Sequence, residues 1–177
     1  MTKQIPLGDN LNAQTPQLRA GIAKCDITSD VKSTFIKDPL YAKVLVLDDG
    51  KTKVVIIAMD VTAIGGRRVS QGILNDSSED FLPKLRSRLQ QELHMPASNV
   101  LVNASHTHPP GKLLCDDAQQ IERTFDAVRR ALEHTVPVKI GAGSAREDRI
   151  TMNRTLRLKN GRHWTIRHSN PCPPDQE

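Results

Sequence analysis

Apolar positions along this chain fall into more than one rhythm, and each rhythm marks a kind of element. From 18 to 24 the order Leu-Arg-Ala-Gly-Ile-Ala-Lys alternates as a strand does, and Asp26, Thr28 and Ser29 then supply a turn. Tyr41 to Leu47 and Lys53 to Met59 read as a second and third strand around Asp48-Asp49-Gly50, since Asp-Gly suits the positive φ of a type I′ hairpin. The third strand carries Val-Val-Ile-Ile-Ala-Met without a polar break, the pattern of a central strand covered on both faces.

Between 81 and 93 the spacing changes to four. Phe81 or Leu82, Leu85, Leu89 and Leu93 then share one helical face, with Ser77, Ser78 and Asp80 as candidate caps and Pro83 tolerated in the first turn. Pro96 closes that helix and Val100 to Val102 opens another strand. Strand, helix and strand in this order make a βαβ unit, which predicts that the strands at 53–59 and from 100 are parallel neighbours. A second helix runs from Asp116 or Asp117 to about His134, with Ile121, Phe125, Val128 and Leu132 on one face and His134 as a partner for the helix dipole. Pro137 stops it, Val136 to Gly141 gives a short strand, and Thr155 to Leu158 with His163 to Ile166 forms a last hairpin under Trp164.

The fold class this predicts is α/β, a mixed β-sheet with packed helices. A single domain is expected over 18–167, between a disordered segment at 1–17 and an irregular, proline-bearing tail at 168–177. Composition adjusts the picture in a few places. A chain of 177 residues suits one domain, while 37% hydrophobic and 3% aromatic content implies a modest core of Val, Ile and Leu, as a portion of a larger unit also shows. The net charge of +5 is dispersed among acidic residues rather than gathered, which argues against a nucleic-acid partner. Cys25, Cys115 and Cys172 lack any Cys-x-x-Cys spacing and read as free thiols. Without an apolar leader the expected location is the cytoplasm, or outside the cell if a signal was removed. No run is long enough to cross a bilayer.

Chemistry concentrates in Asn99 to Gly111, which ends Ser-His-Thr-His-Pro-Pro-Gly. If the extended strand lasts to His108, His106 and His108 point the same way, because strand side chains alternate. Such a pair can supply one or two ligands of a catalytic zinc. The plainer reading is two histidines hydrogen-bonded at a surface turn. Asp60, at the end of the third strand, falls at the same sheet edge in the predicted parallel arrangement, either as a site residue or as the cap of the following turn. Gly141-Ala-Gly143-Ser lacks the third glycine of a dinucleotide-binding turn.

Taken in order, several of these motifs resemble the amino-terminal part of the neutral ceramidase family. The matching residues are Ala20-Gly21-Ile22-Ala23-Lys24-Cys25-Asp26-Ile27-Thr28, the apolar strand running into Asp60, Asn99 to His108, and the pair Asn153-Arg154. The resemblance implies zinc-dependent hydrolysis of an N-acyl amide, ceramide giving sphingosine and a fatty acid, with a lipid or other small amide as the substrate partner. It implies that His106 is a zinc ligand, that His108 lies beside the metal, that Arg154 faces the scissile carbonyl and that Asp60 orients a histidine.

Two departures stand out: Pro109-Pro110-Gly111-Lys112 replaces the family's usual Pro-Gly-Gly, and the family's later histidine, glutamate and tyrosine ligands have no counterpart after Arg154. His163 and His168 could take their place only if the terminal hairpin folds back over the sheet. An incomplete ligand set leaves a second expectation standing, an interaction domain that keeps the scaffold without catalysis.

Overall fold

The computed structural model describes residues 17–31, 36–65, 76–108, 113–147, 149 and 155–165. The chain divides between Lys139 and Ile140 into two units, a boundary inside the span expected as one domain. Described residues of the first unit form a five-stranded sheet of order β4-β3-β2-β1-β5. Its strands are β1 (Arg19–Asp26), β2 (Tyr41–Asp48), β3 (Lys53–Met59), β4 (Val100–Ala104) and β5 (Val136–Pro137). β1, β2 and β3 form an antiparallel meander, β5 is antiparallel to β1, and β4 runs parallel to β3 from Val55↔Val100 to Met59↔Ala104. The expected mixed α/β sheet is the one observed.

Helices α1 (Phe81–Leu93) and α2 (Asp117–Glu133) pack with the sheet. The core between sheet and helices draws Ala42, Val44 and Val46 from β2 and Val55, Ile57 and Met59 from β3, all alternate positions, against Phe81, Leu85 and Leu89 of α1. Phe81 is fully buried, and removing such a side chain from water contributes about 1.5–3 kcal/mol. α2 starts at a capping box. The Asp116 carboxylate accepts from the Gln119 N–H at 2.8 Å, and the Gln119 side chain accepts from the Asp116 N–H at 3.3 Å. Capping of this kind stabilises a helix by about 1 kcal/mol.

Four local expectations are corrected. The turn after β2 is not type I′, which needs two successive residues at positive φ. Only Gly50 has one there, at 86°, and the loop is held by the Asp49 carboxylate, which accepts from Lys51 N–H at 2.9 Å and Thr52 N–H at 2.7 Å. β3 is covered fully on its helix side alone. Val54, Ile56 and Ala58 on the other side are half-buried, in a face where Ile22, Leu45, Ile56 and Leu101 stand in register and Ile22 is 78% exposed.

α2 presents Gln120, Thr124, Ala127 and Ala131 with Phe125 and Val128 to the core, while Ile121 and Leu132 are only half-buried. The reason is close approach: a Cβ on Gly21 would lie 1.8 Å from the Ala131 carbonyl oxygen, so small side chains must face β1 there. β5 keeps two residues of the six expected, because Pro137 has no N–H to donate and only the Val138 N–H bond to Leu18 at 2.9 Å continues beyond it.

In the second unit, β6 (Thr155–Arg157) and β7 (His163–Thr165) make the expected terminal hairpin, with Leu156 opposite Trp164 and Gly161 at φ 80° in its turn.

Candidate active site

The parallel pairing of β3 and β4 places the residues that leave both strands at one carboxyl edge of the sheet, where open α/β sheets bind ligands. Asp60 follows β3 and Ser105 follows β4. The Ser105 N–H donates to the Met59 carbonyl at 2.9 Å, so the ladder is tied once more before the chains diverge.

Beyond that bond the histidine segment departs from a strand. His106 sits at φ 60°, the left-handed region that a histidine adopts only at a cost. Alternation therefore stops, and the expectation that pleating aligns the two imidazoles is corrected. A turn brings them together instead. The rings of His106 and His108 meet edge to face with centroids 4.6 Å apart, and the Ser105 and Thr107 hydroxyls on the same segment are 2.7 Å from each other.

Thr62 holds this segment in place. Its carbonyl oxygen is 2.7 Å from His106 Nδ1, and its hydroxyl donates to the Thr107 carbonyl at 2.9 Å. A carbonyl can only accept, so the imidazole proton lies on Nδ1 and the Nε2 lone pair points away from this bond. That is the tautomer a metal ligand or a base acting through Nε2 needs.

Asp60 makes other contacts. Its carboxylate accepts from the Lys43 ammonium at 3.0 and 3.2 Å and from the Tyr41 N–H at 3.1 Å, and its own N–H donates to the Tyr41 carbonyl at 2.8 Å. These bonds fasten the end of β3 to β2. The group that orients His106 is the Thr62 carbonyl. Nothing in the sequence marked Thr62, since a threonine three residues beyond a strand is an ordinary turn residue. Arg154, Asn153, His168 and Pro109 to Lys112 lie outside the described residues. His163 is in β7, in the second unit.

Catalytic zinc takes three protein ligands and keeps one position open. Among the described residues no group of three or more His, Cys, Asp or Glu side chains could hold a metal, so the two imidazoles fall short of a complete site.

Elsewhere, a concavity of about 420 Å³ opens between β1 and α2 and is lined by Lys24, Cys25, Asp26, Arg123, Asp126, Arg129 and Arg130. Its cations are already engaged. Arg123 pairs with Asp30, Arg129 with Asp126 and Glu133, Arg130 donates to the Lys24 carbonyl, and the Lys24 ammonium lies over the Tyr41 ring. Burial pushes the Cys25 thiol up from its ordinary value and raises that of Cys115 to about 11, so neither is a poised nucleophile at neutral pH.

The first unit is thus an α/β domain with a backbone-held histidine pair at the carboxyl edge of a parallel strand pair. No family model and no curated protein matches the chain. Among solved structures it is similar to neutral ceramidase from Pseudomonas aeruginosa, with a TM-score of 0.52 at 18% identity over 68% of this chain and 22% of that one. A structure described as ceramidase complexed with C2 aligns at 18% identity over the same shares, with a TM-score of 0.47. The first likeness shows a shared fold, so the resemblance carried by the motifs is also a resemblance of architecture. The chain spans about a fifth of that ceramidase's length, 22%.

Proposed function

We propose that this chain is a ceramidase-like hydrolase domain that contributes the first imidazole ligand of a zinc-dependent site for cleaving a lipid N-acyl amide. The observation that carries the reading is the bond from His106 Nδ1 to the Thr62 carbonyl, in a chain whose fold is shared with a neutral ceramidase. It holds His106 as the Nδ1–H tautomer, with Nε2 free to ligate. Zinc, when bound, would supply a Lewis acid and lower the pKa of its water to about 7. In this reading its remaining ligands lie outside the described residues.

The chain's own residues then have separate tasks. His106 ligates. His108, exposed and 4.6 Å away ring to ring, meets the substrate beside it. Arg154, on the strength of the motif alone, balances charge developing on the carbonyl oxygen. Asp60 keeps the strand end rigid through Lys43 and Tyr41. Retention of zinc in a His163→Ala/His168→Ala double variant would exclude the terminal hairpin as a source of ligands.

The test is zinc stoichiometry by elemental analysis on the purified chain and on His106→Ala, followed by release of fatty acid from a short-chain ceramide. About one zinc per chain, lost in the variant, is expected. No zinc in either protein overturns a metal site that this chain fills by itself and leaves the interaction domain as its surviving account. Zinc without fatty-acid release overturns the substrate class and keeps the site.

A further inference from the structure

Thr62 is 3% exposed, and its three polar groups reach three different partners. Its N–H donates to the Asp76 carboxylate, its hydroxyl to the Thr107 carbonyl at 2.9 Å, and its carbonyl accepts from His106 Nδ1 at 2.7 Å. No turn needs all three to persist. A hydrogen-bonded turn uses one carbonyl and one N–H, and here the side-chain hydroxyl is committed as well.

Asp76 is itself anchored. Its carbonyl accepts from Gln120 Nε2 at 3.1 Å, and the neighbouring Ser77 hydroxyl donates to Gln120 Oε1 at 2.7 Å. Gln120 is 1% exposed, on the core face of α2, and its amide also donates to the Cys115 carbonyl at 2.8 Å. A backbone bridge between Ile64 and Ser77 joins the two segments alongside. The line of bonds therefore runs from a helix in the core to an exposed imidazole, through residues that are far apart in the chain. Buried polar groups are costly unless fully paired, and every polar atom of the Gln120 amide that faces this line has a partner.

From this arrangement we infer that Gln120, Asp76 and Thr62 form a positioning relay that locks His106 in its left-handed backbone and in the Nδ1–H tautomer, with Thr62 as the contact residue. Thr62 touches neither metal nor substrate and acts through His106. The relay rests on the proposed hydrolase reading only for the use to which the free Nε2 is put. It also supplies a reason for the strain at His106. Three bonds to Thr62 and its partners over-determine a conformation that the residue alone would leave.

The experiment is two-bond proton–nitrogen NMR on the full chain labelled with ¹⁵N-histidine, free of metal, at pH 8, where an ordinary imidazole is neutral. The His106 signals are those lost in His106→Ala. Wild type is expected to show His106 as the Nδ1–H form. Thr62→Val removes the bond to Thr107, and Asp76→Ala removes the acceptor for the Thr62 N–H. Each is expected to give a mixture with the Nε2–H form, while His94 and His134 keep their wild-type signals. Thr62→Ser, which restores the hydroxyl, is expected to return the single form. A zinc titration read beside it should show Thr62→Val weaker by about 10–100-fold than Thr62→Ser.

A wild-type spectrum with His106 in the Nε2–H form overturns the relay without recourse to any variant. So does survival of the pure Nδ1–H form in both Thr62→Val and Asp76→Ala. The two readings separate cleanly. Nδ1–H with no zinc bound upholds the relay and removes the metal, whereas zinc binding by a chain with the Nε2–H form does the reverse.

Discussion

The helix-covered face of the sheet and the carboxyl edge of β3 and β4 are built from neighbouring residues by opposite means. On the covered face Ile57 and Met59 meet Phe81, Leu85 and Leu89 with no exposed surface, and order follows from apolar burial. A few residues along the same strands, Thr62 and the segment from Ser105 to His108 are ordered by individual polar bonds, and the imidazoles remain exposed. Burial is non-directional and robust, which suits a scaffold. Polar bonds to backbone groups fix orientation and tautomer, which suits chemistry. Stability and site geometry should therefore respond to different substitutions.

The largest effect is expected from Phe81→Ala, which leaves a cavity in the buried core and should cost about 3–5 kcal/mol in urea unfolding while leaving the His106 tautomer unchanged in the folded fraction. Gly21→Ala comes next. Its Cβ would meet the Ala131 carbonyl at 1.8 Å, a backbone atom that cannot rotate away, so α2 must shift at a cost of about 1–3 kcal/mol. A melting curve unchanged from wild type would show that the helix does not lie so close to β1.

Cys115 separates the regions by pH. Its folded-state value of about 11 lies above the ordinary 9.0, because burial disfavours the thiolate. The folded state thus holds the proton more tightly, and the stability this contributes is present below pH 9 and is lost as the pH rises toward 11. At pH 8, peptide mapping after iodoacetamide treatment should find Cys115 unmodified in the folded protein and alkylated in urea. Equal labelling in both would contradict its burial. The smallest effect is expected for His106→Gly. Relief of the left-handed strain, about 1 kcal/mol, and loss of one hydrogen bond of similar size should nearly cancel, giving a change within about 0.5 kcal/mol while any metal binding disappears. A large destabilisation would mean that the histidine is part of the scaffold.

Much of the scaffold was legible before any coordinates. β3 falls where the apolar run after the Asp-Gly turn places it and α1 where period four does, and the βαβ inference correctly sets β3 parallel to β4, because these patterns depend on the chain's own geometry. α2 buries Phe125 and Val128 as its spacing predicts, but its buried face is wider than the apolar stripe. Gln120 and Thr124 face the core, and a polar residue reads as outward unless its partners are known. Two of the partners, Asp76 and Ser77, come from a distant segment, and the third, Cys115, directly precedes the helix cap.

The histidine pair divides in the same way. Spacing alone nominated His106 and His108, and they do meet, but by a turn at φ 60° rather than by strand alternation. Patterns within a dozen residues, the alternation of strands, the fourfold spacing of a helix and the proline and glycine stops, were written into the linear order because local backbone geometry answers to near neighbours. Why α2 buries Gln120, why Gly21 must be small and what holds the His106 ring depend on contacts between residues 43 to 110 positions apart, such as Ser77 with Gln120, Thr62 with His106 and Gly21 with Ala131. Those contacts exist once the core has brought the segments together, so no reading of the chain in order could contain them.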